Sequence, residues 1–277
     1  MFEMRIVFSR KGFDSGAGGC ASAIVEGRPI SLPIPTNMPS QITYRELADP
    51  IGELVKDLSR GRVDLDQKCH LDPDLDWHLI DRRPGWRGSL GQVGAAQGHL
   101  SNQGVREGDL FLFWGLFRPV CRSSRWEYSG PAEHRIYGWL QVGEILSVGS
   151  EPEPYLLRYP WLFGHPHMSD GWNQNNTVYV ARRRLSLGSM EVDMPGWGLF
   201  ARGSRLTGVD SSSPSVWEMP DWLNPNKGGV GLTYNPEHRW LQDGRLRSAA
   251  RGQEFVADVS KRNDASEWLA ELFREVL

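Results

Sequence analysis

The chain has 277 residues, enough for one large domain or two small ones with a sizeable core, which excludes a peptide-scale or metal-stapled module. Its net charge of −3 excludes a basic coat that holds nucleic acid wholesale by counterion release. No apolar run approaches the ~20 residues of a membrane span, no signal-peptide cleavage pattern follows the first residues, and Cys20, Cys69 and Cys121 form no CxxC pair. A cytoplasmic protein with reduced thiols and no membrane role is therefore expected. Five of the 31 basic residues are Lys, leaving 26 Arg, and there are 12 Trp. Arg suits bidentate phosphate recognition and stacking on flat rings, although a GC-rich genome produces the same excess.

In chain order, Arg5 to Ser9 reads as a buried strand. A Gly-rich loop follows, and Ala23 to Val25 with Pro29 to Ile34 reads as extended chain around a Glu26-Gly27 turn. Thr43 with Glu46 has the spacing of a capping box, and Asp49-Pro50 offers a fresh helix start. Ile51, Leu54, Val55 and Leu58 then give helical periodicity over residues 50–60. Residues 64–81 carry six Asp and one Lys and read as an acidic loop. A short small-residue helix is expected within 92–103, and strong strands at 109–114, 135–146 and 177–181, the first two joined by an Arg-rich loop. Residues 185–240 read as loop-rich β structure. Asp264 and Glu267 suggest a second capping box, ahead of an apolar stripe of Trp268, Leu269, Leu272, Phe273, Val276 and Leu277 that should dock on the body.

Four groups of residues can carry chemistry. The loop Arg10-Lys11-Gly12-Phe13-Asp14-Ser15-Gly16-Ala17-Gly18-Gly19 packs two cations, an acid and a hydroxyl beside glycines whose amides can form an anion-binding nest. It lacks the GK[ST] of a P-loop and the GxGxxG of a dinucleotide turn, and a tight strand connection is its structural reading. His70, Asp72 and Asp74 alternate, as do His165 and His167; in extended chain such residues share a face and can ligate one divalent ion. Turn capping explains the same residues without a metal. Arg87, Gln92, Gln97 and His99 surround a small-residue surface where amides can read a base edge. Lastly, Gly108-Asp109 before Leu110-Phe111-Leu112-Phe113-Trp114, followed by Gly138-Trp139-Leu140-Gln141-Val142-Gly143-Glu144-Ile145, resembles the small barrels of the PUA, ASCH and EVE superfamily, which implies binding of RNA or modified bases. Trp114, Tyr137 and Trp139 read as core.

Taken in order, KGFDS-x-x-GG at 11–19, SLPIP at 31–35, HLDPDL at 70–75, GW-x-x-x-x-GQ-x-x-AAQGHL at 85–100, GDLFLFWGLFR at 108–118, GWLQVGEI at 138–145, HPH at 165–167 and RGQEFV at 251–256 resemble the third type of the nucleotide modification associated domain family. The blocks span nearly the whole chain, so the expected architecture is a single α+β domain over residues 1–277. A PUA-like β-barrel forms its core, with the Gly-rich loop, short helices and a C-terminal helix added. The chain departs from the family pattern at Cys20-Ala21-Ser22, which makes Cys20 a candidate nucleophile.

The resemblance implies a role around nucleotides in bacterial or phage DNA modification, without fixing a reaction. The expected sites are Asp14, Ser15 and His99 for catalysis, with Asp14 and His99 as acid or base, and Arg10, Lys11, Gln92, Gln97, Arg118, Arg251, Gln253 and Glu254 for the nucleotide or base. His70, Asp72, Asp74, His165 and His167 are the candidates for a divalent metal. The partner is a nucleotide or nucleic acid, DNA ahead of RNA. A non-catalytic reader of modified bases and a metal-dependent nuclease are the rival readings.

Overall fold

The computed structural model describes residues 3–38, 40–187, 190–260 and 262–276. Ten strands form one mixed sheet: β1 (Arg5–Arg10), β2 (Ser22–Val25), β3 (Arg28–Ile30), β4 (Ser89–Gln92), β5 (Leu110–Arg122), β6 (Trp126–Tyr128), β7 (Glu133–Leu146), β8 (Thr177–Ala181), β9 (Trp197–Arg205) and β10 (Glu254–Asp258). The main path runs β10-β1-β5-β7-β8-β4, with β2 and β6 also on β5, β3 on β2 and β9 on β7. β1 and β2 run parallel to β5, and the remaining pairings are antiparallel.

The strands are near-continuous apolar runs because both faces of the sheet are covered. Ile6, Phe8, Leu110, Leu112, Trp114, Phe255 and Ala257 enter one core cluster with Trp217 and the C-terminal helix. Their alternating neighbours Val7, Phe111, Phe113 and Val256 enter another with Leu90, Leu100 and Tyr179. Trp114, Tyr137 and Trp139 are buried, as expected of core aromatics.

The barrel expected from the Gly-Asp turn is not found among the described residues: β10 and β4 end the path and share no ladder. Asp109 accepts from the amides of Arg5 (2.7 Å) and Arg106 (2.8 Å). That arrangement stitches the starts of β1 and β5 together in any sheet, open or closed. The Arg-rich connection is likewise largely sheet, since β5 extends to Arg122 and turns back as β6.

The helices are α1 (Ile51–Leu58), α2 (Gly94–Asn102), α3 (Glu153–Arg158) and α4 (Asn263–Phe273). In α1 the four periodic apolar residues are buried, as their spacing predicts. The Thr43–Glu46 box exists but caps the single 3₁₀ turn Tyr44–Glu46 in front of it. The second box is not formed. α4 begins at Asn263, placing Asp264 in its first turn, where Arg262 and the Ala265 amide take its carboxylate. Ala265, Leu269 and Phe273 of α4 are buried against the body, with Trp268, Leu272 and Val276 packed beside them; Leu277 lies outside the described residues. The acidic stretch is not wholly loop, because Cys69–His70 pairs with Ile34–Pro35.

Candidate active site

Ser9 and Glu254 face each other in the β1–β10 ladder, and the Ser9 hydroxyl donates to Glu254 Oε1 at 3.0 Å. Gln92, at the end of β4, donates its amide to the same oxygen. Lys11 follows β1 and places Nζ 3.6 Å from Glu254 Oε1 and 4.0 Å from Asp72 Oδ2. Burial pushes the Glu254 carboxyl up, and the Asp72 charge adds to this against the pull of Lys11 and Ser9. Among the described residues, its Oε2 is buried without a hydrogen-bond partner. A buried carboxyl of this kind has a free oxygen and a raised proton affinity, the two properties required of a proton carrier.

Asp72 lies beside Glu254 across Lys11. Its Oδ1 accepts the Gly91 amide at 2.6 Å and lies 3.6 Å from His165 Nε2, while Oδ2 is 3.8 Å from His70 Nε2. Burial works against the Asp72 charge. The neighbouring His165, the Lys11 ammonium and the imidazole of His167 outweigh it, holding the carboxyl below its usual range. His167 stacks on Trp172 with ring centres 4.3 Å apart. Its Nδ1 meets Asn176 Oδ1 at 2.7 Å, and the Asn176 amide donates to the carbonyls of Gly149 and His167. This network places the proton of His167 on Nδ1 and leaves a lone pair on Nε2. Burial pushes His167 down to about 4 and lowers His70, so both rings are neutral at pH 7.

These groups open onto a cavity of about 620 Å³ at the end of β1. Arg10, Lys11, Asp14, His70, Asp72, Gln92, His99, His167, Gln253 and Glu254 line it, which brings together ten of the expected site residues. Gln253 is exposed at the rim. His99 contacts Thr233 Oγ1 at 3.0 Å and packs against Tyr234 with ring centres 4.5 Å apart; burial lowers its affinity for a proton. His165 is buried behind the wall, its Nδ1 accepting the His167 amide at 3.2 Å.

Five expected residues lie elsewhere. Ser15 and Arg251 are exposed and do not line the cavity. Gln97 is buried on α2, accepting from Tyr179 and donating to Ser101. Arg118 stacks over Tyr128 at 4.4 Å and donates to the Gly130 carbonyl. Asp74 is occupied by two hydrogen bonds from Arg82 and one from Trp86. Arg87, from the amide-rich segment, pairs with Glu144 instead. The anticipated anion nest is also filled from within, because Asp14 Oδ1 takes the amides of Gly16 (2.7 Å) and Ala17 (2.8 Å). Burial raises the Cys20 thiol, the reverse of an activated nucleophile.

Sequence reasoning missed Trp172, Asn176 and Tyr234. An amide-rich run, Asn173-Gln174-Asn175-Asn176, shortly after the His-Pro-His turn was the available signal for the first two. Tyr234 reaches the cavity from a segment with no motif.

Fold and site together define a mixed α+β protein with a polar cleft at the end of its sheet, lined by cations, neutral imidazoles and two buried carboxyls. The profile of nucleotide modification associated domain 3 matches residues 5–258, and the chain belongs to that family. No curated protein and no solved structure matches the chain. Among the described residues, no helix is long and apolar enough to cross a membrane.

Proposed function

We propose that this chain, as one domain over residues 1–277, binds a nucleotide or an extruded nucleic-acid base in the cleft and catalyses a step in its modification, within a bacterial or phage DNA-modification system. The observation that carries this reading is the convergence of Arg10, Lys11, Glu254, His99, Trp172 and Tyr234 around a cavity of about 620 Å³. Small-molecule sites typically occupy about 300–1,000 Å³. Arg10 and Lys11 supply charge for a phosphate, Trp172 and Tyr234 supply flat faces for a base, and Gln253 lies at the rim to meet a base edge. Glu254 moves the proton, with His99 and Asp14 closer to the mouth. The near-neutral chain and the bounded volume of the cleft favour a pocket over a long nucleic-acid groove. A base taken from duplex DNA costs a few kcal/mol to extrude, and stacking worth about 1–3 kcal/mol offsets much of it.

Catalysis is preferred to passive reading because a reader gains nothing from a buried carboxyl with a free oxygen, which costs folding energy. The deciding experiment incubates the protein with deoxynucleotides and with single-stranded DNA, following both binding and substrate mass. Saturable binding that weakens roughly 5- to 100-fold in Trp172→Ala, with a mass change that disappears in Glu254→Gln, is expected. Tight binding with no mass change in the presence of the partner proteins of its own system would establish the reader, and no binding at all would remove the nucleotide assignment.

A further inference from the structure

We infer that His70, Asp72 and His167 form a site for one first-row divalent transition ion, open towards the cleft. One ligand atom from each residue lies within 4.8 Å of the other two. Bonds of about 2.0–2.2 Å from a common ion set ligand atoms roughly 3–4.4 Å apart, so a small rotation of His70, the least buried of the three, completes the geometry. Two imidazoles and one carboxylate select a transition metal over Mg²⁺ or Ca²⁺, which prefer oxygen ligands.

The surroundings are arranged as a ligand set requires. Asn176 accepts the His167 Nδ1 proton at 2.7 Å, which turns the Nε2 lone pair away from Asn176 and fixes the ring. The Gly91 amide holds Asp72 Oδ1 at 2.6 Å, leaving Oδ2 on the side of His70. His165 stands behind Asp72, its Nδ1 accepting the His167 amide and its Nε2 3.6 Å from Asp72 Oδ1, without a hydrogen-bond partner among the described residues. Lys11 stands near the site, but its ammonium has a closer carboxylate in Glu254, 3.6 Å against 4.0 Å for Asp72. An ion on Asp72 therefore leaves Lys11 paired. One anionic ligand leaves a divalent ion with net positive charge, so its open positions favour an anionic group of the bound molecule.

The site goes beyond the nucleotide reading and does not depend on it, since all three ligands belong to this chain. The test titrates Co(II) into the full-length protein without nucleotide, reading visible absorbance and the quenching of tryptophan fluorescence that Trp172→Phe removes, followed by displacement with Zn(II). One equivalent of Co(II) is expected, with affinity falling at least 100-fold in His70→Gln and Asp72→Asn, and 10- to 100-fold in Asn176→Ala. His238→Ala, at an exposed histidine that does not line the cleft, should retain full uptake. Because His167 is buried and stacked, its replacement also removes packing, so the partly exposed His70 is the decisive position. Absence of stoichiometric uptake of either metal, or unchanged affinity in folded His70→Gln, would overturn the site. Nucleotide binding measured separately in chelator keeps the two assignments apart: each can fail while the other stands.

Discussion

Gln92 and Glu254 belong to the two terminal strands of a six-strand path, yet the Gln92 amide donates to the Glu254 carboxylate. One side-chain hydrogen bond thus joins sheet edges that no backbone ladder connects, and it does so at the cleft. Glu254 is both a structural tie and the candidate proton carrier.

These two roles separate by substitution. Glu254→Gln retains an accepting oxygen for Ser9 and Gln92 but cannot exchange a proton, so the fold should persist while turnover drops by roughly 10²–10⁴. Glu254→Leu leaves those donors buried without an acceptor, at about 1–3 kcal/mol for each group. Urea melts of the two variants beside wild type check the contrast, which fails if the leucine variant is as stable as the glutamine one.

Acid sensitivity should trace in part to His134. Its Nδ1 accepts the Trp217 indole proton at 2.9 Å, and burial, helped by the Arg10 charge, lowers the ring to about 4. An unfolded histidine titrates near 6.5, so between these values the unfolded chain binds more protons. The contribution is complete above about pH 6.5 and is lost as pH falls towards 4, amounting to roughly 3 kcal/mol for this group. His134→Gln keeps an acceptor for Trp217 and should flatten that part of the stability–pH curve; an unchanged slope would assign the sensitivity to other groups.

Asp74 should behave as a structural acid. It holds Arg82 through bonds of 2.5 and 2.6 Å in a buried setting, so Asp74→Ala leaves an uncompensated guanidinium and should cost about 3–5 kcal/mol. Metal uptake and nucleotide binding by the folded variant should match wild type, and a selective loss of metal would return Asp74 to the ligand set.

Two glycines should respond in opposite directions. A Cβ on Gly91 would lie 2.1 Å from the His167 ring, so Gly91→Ala must displace that imidazole and impair the cleft. A Cβ on Gly98, inside α2, would meet nothing within 4 Å. Gly98→Ala should stabilise the protein by about 0.5–1 kcal/mol. Thermal melts read both changes, and the share of tryptophan fluorescence that Trp172→Phe removes reports movement of His167.

The sheet strands and α1 were legible because burial on two faces demands apolar runs and burial on one face demands helical spacing. The metal-type residues were legible only as a set. Alternation along 70–74 treated Asp72 and Asp74 as equivalent, whereas the chain bridges Asp74 to Ser89 and turns it to Arg82. In the His-Pro-His turn, His167 faces the cleft and His165 stands behind it, a division that depends on Gly91 and Asn176. The loop glycines suggested an anion nest, but Asp14 was already the anion. The excess of Arg and Trp also found an internal use: Arg82 lies over Trp86 at 4.3 Å and Arg87 near Trp161 at 5.7 Å, contacts that composition could not distinguish from ligand stacking.

The pairing of β1 with β10 also constrains synthesis. Arg5 to Ser9 are matched to residues 254–258, so the strand translated early has no antiparallel partner until almost all of the described chain has left the ribosome. Until then Lys11 lacks Glu254, Ser9 lacks its acceptor, and the cleft lacks its candidate proton carrier. Premature termination anywhere before residue 254 therefore yields a chain in which β1 keeps only its parallel partner β5, with its other edge bare and the pocket incomplete, and such truncated products are prone to association.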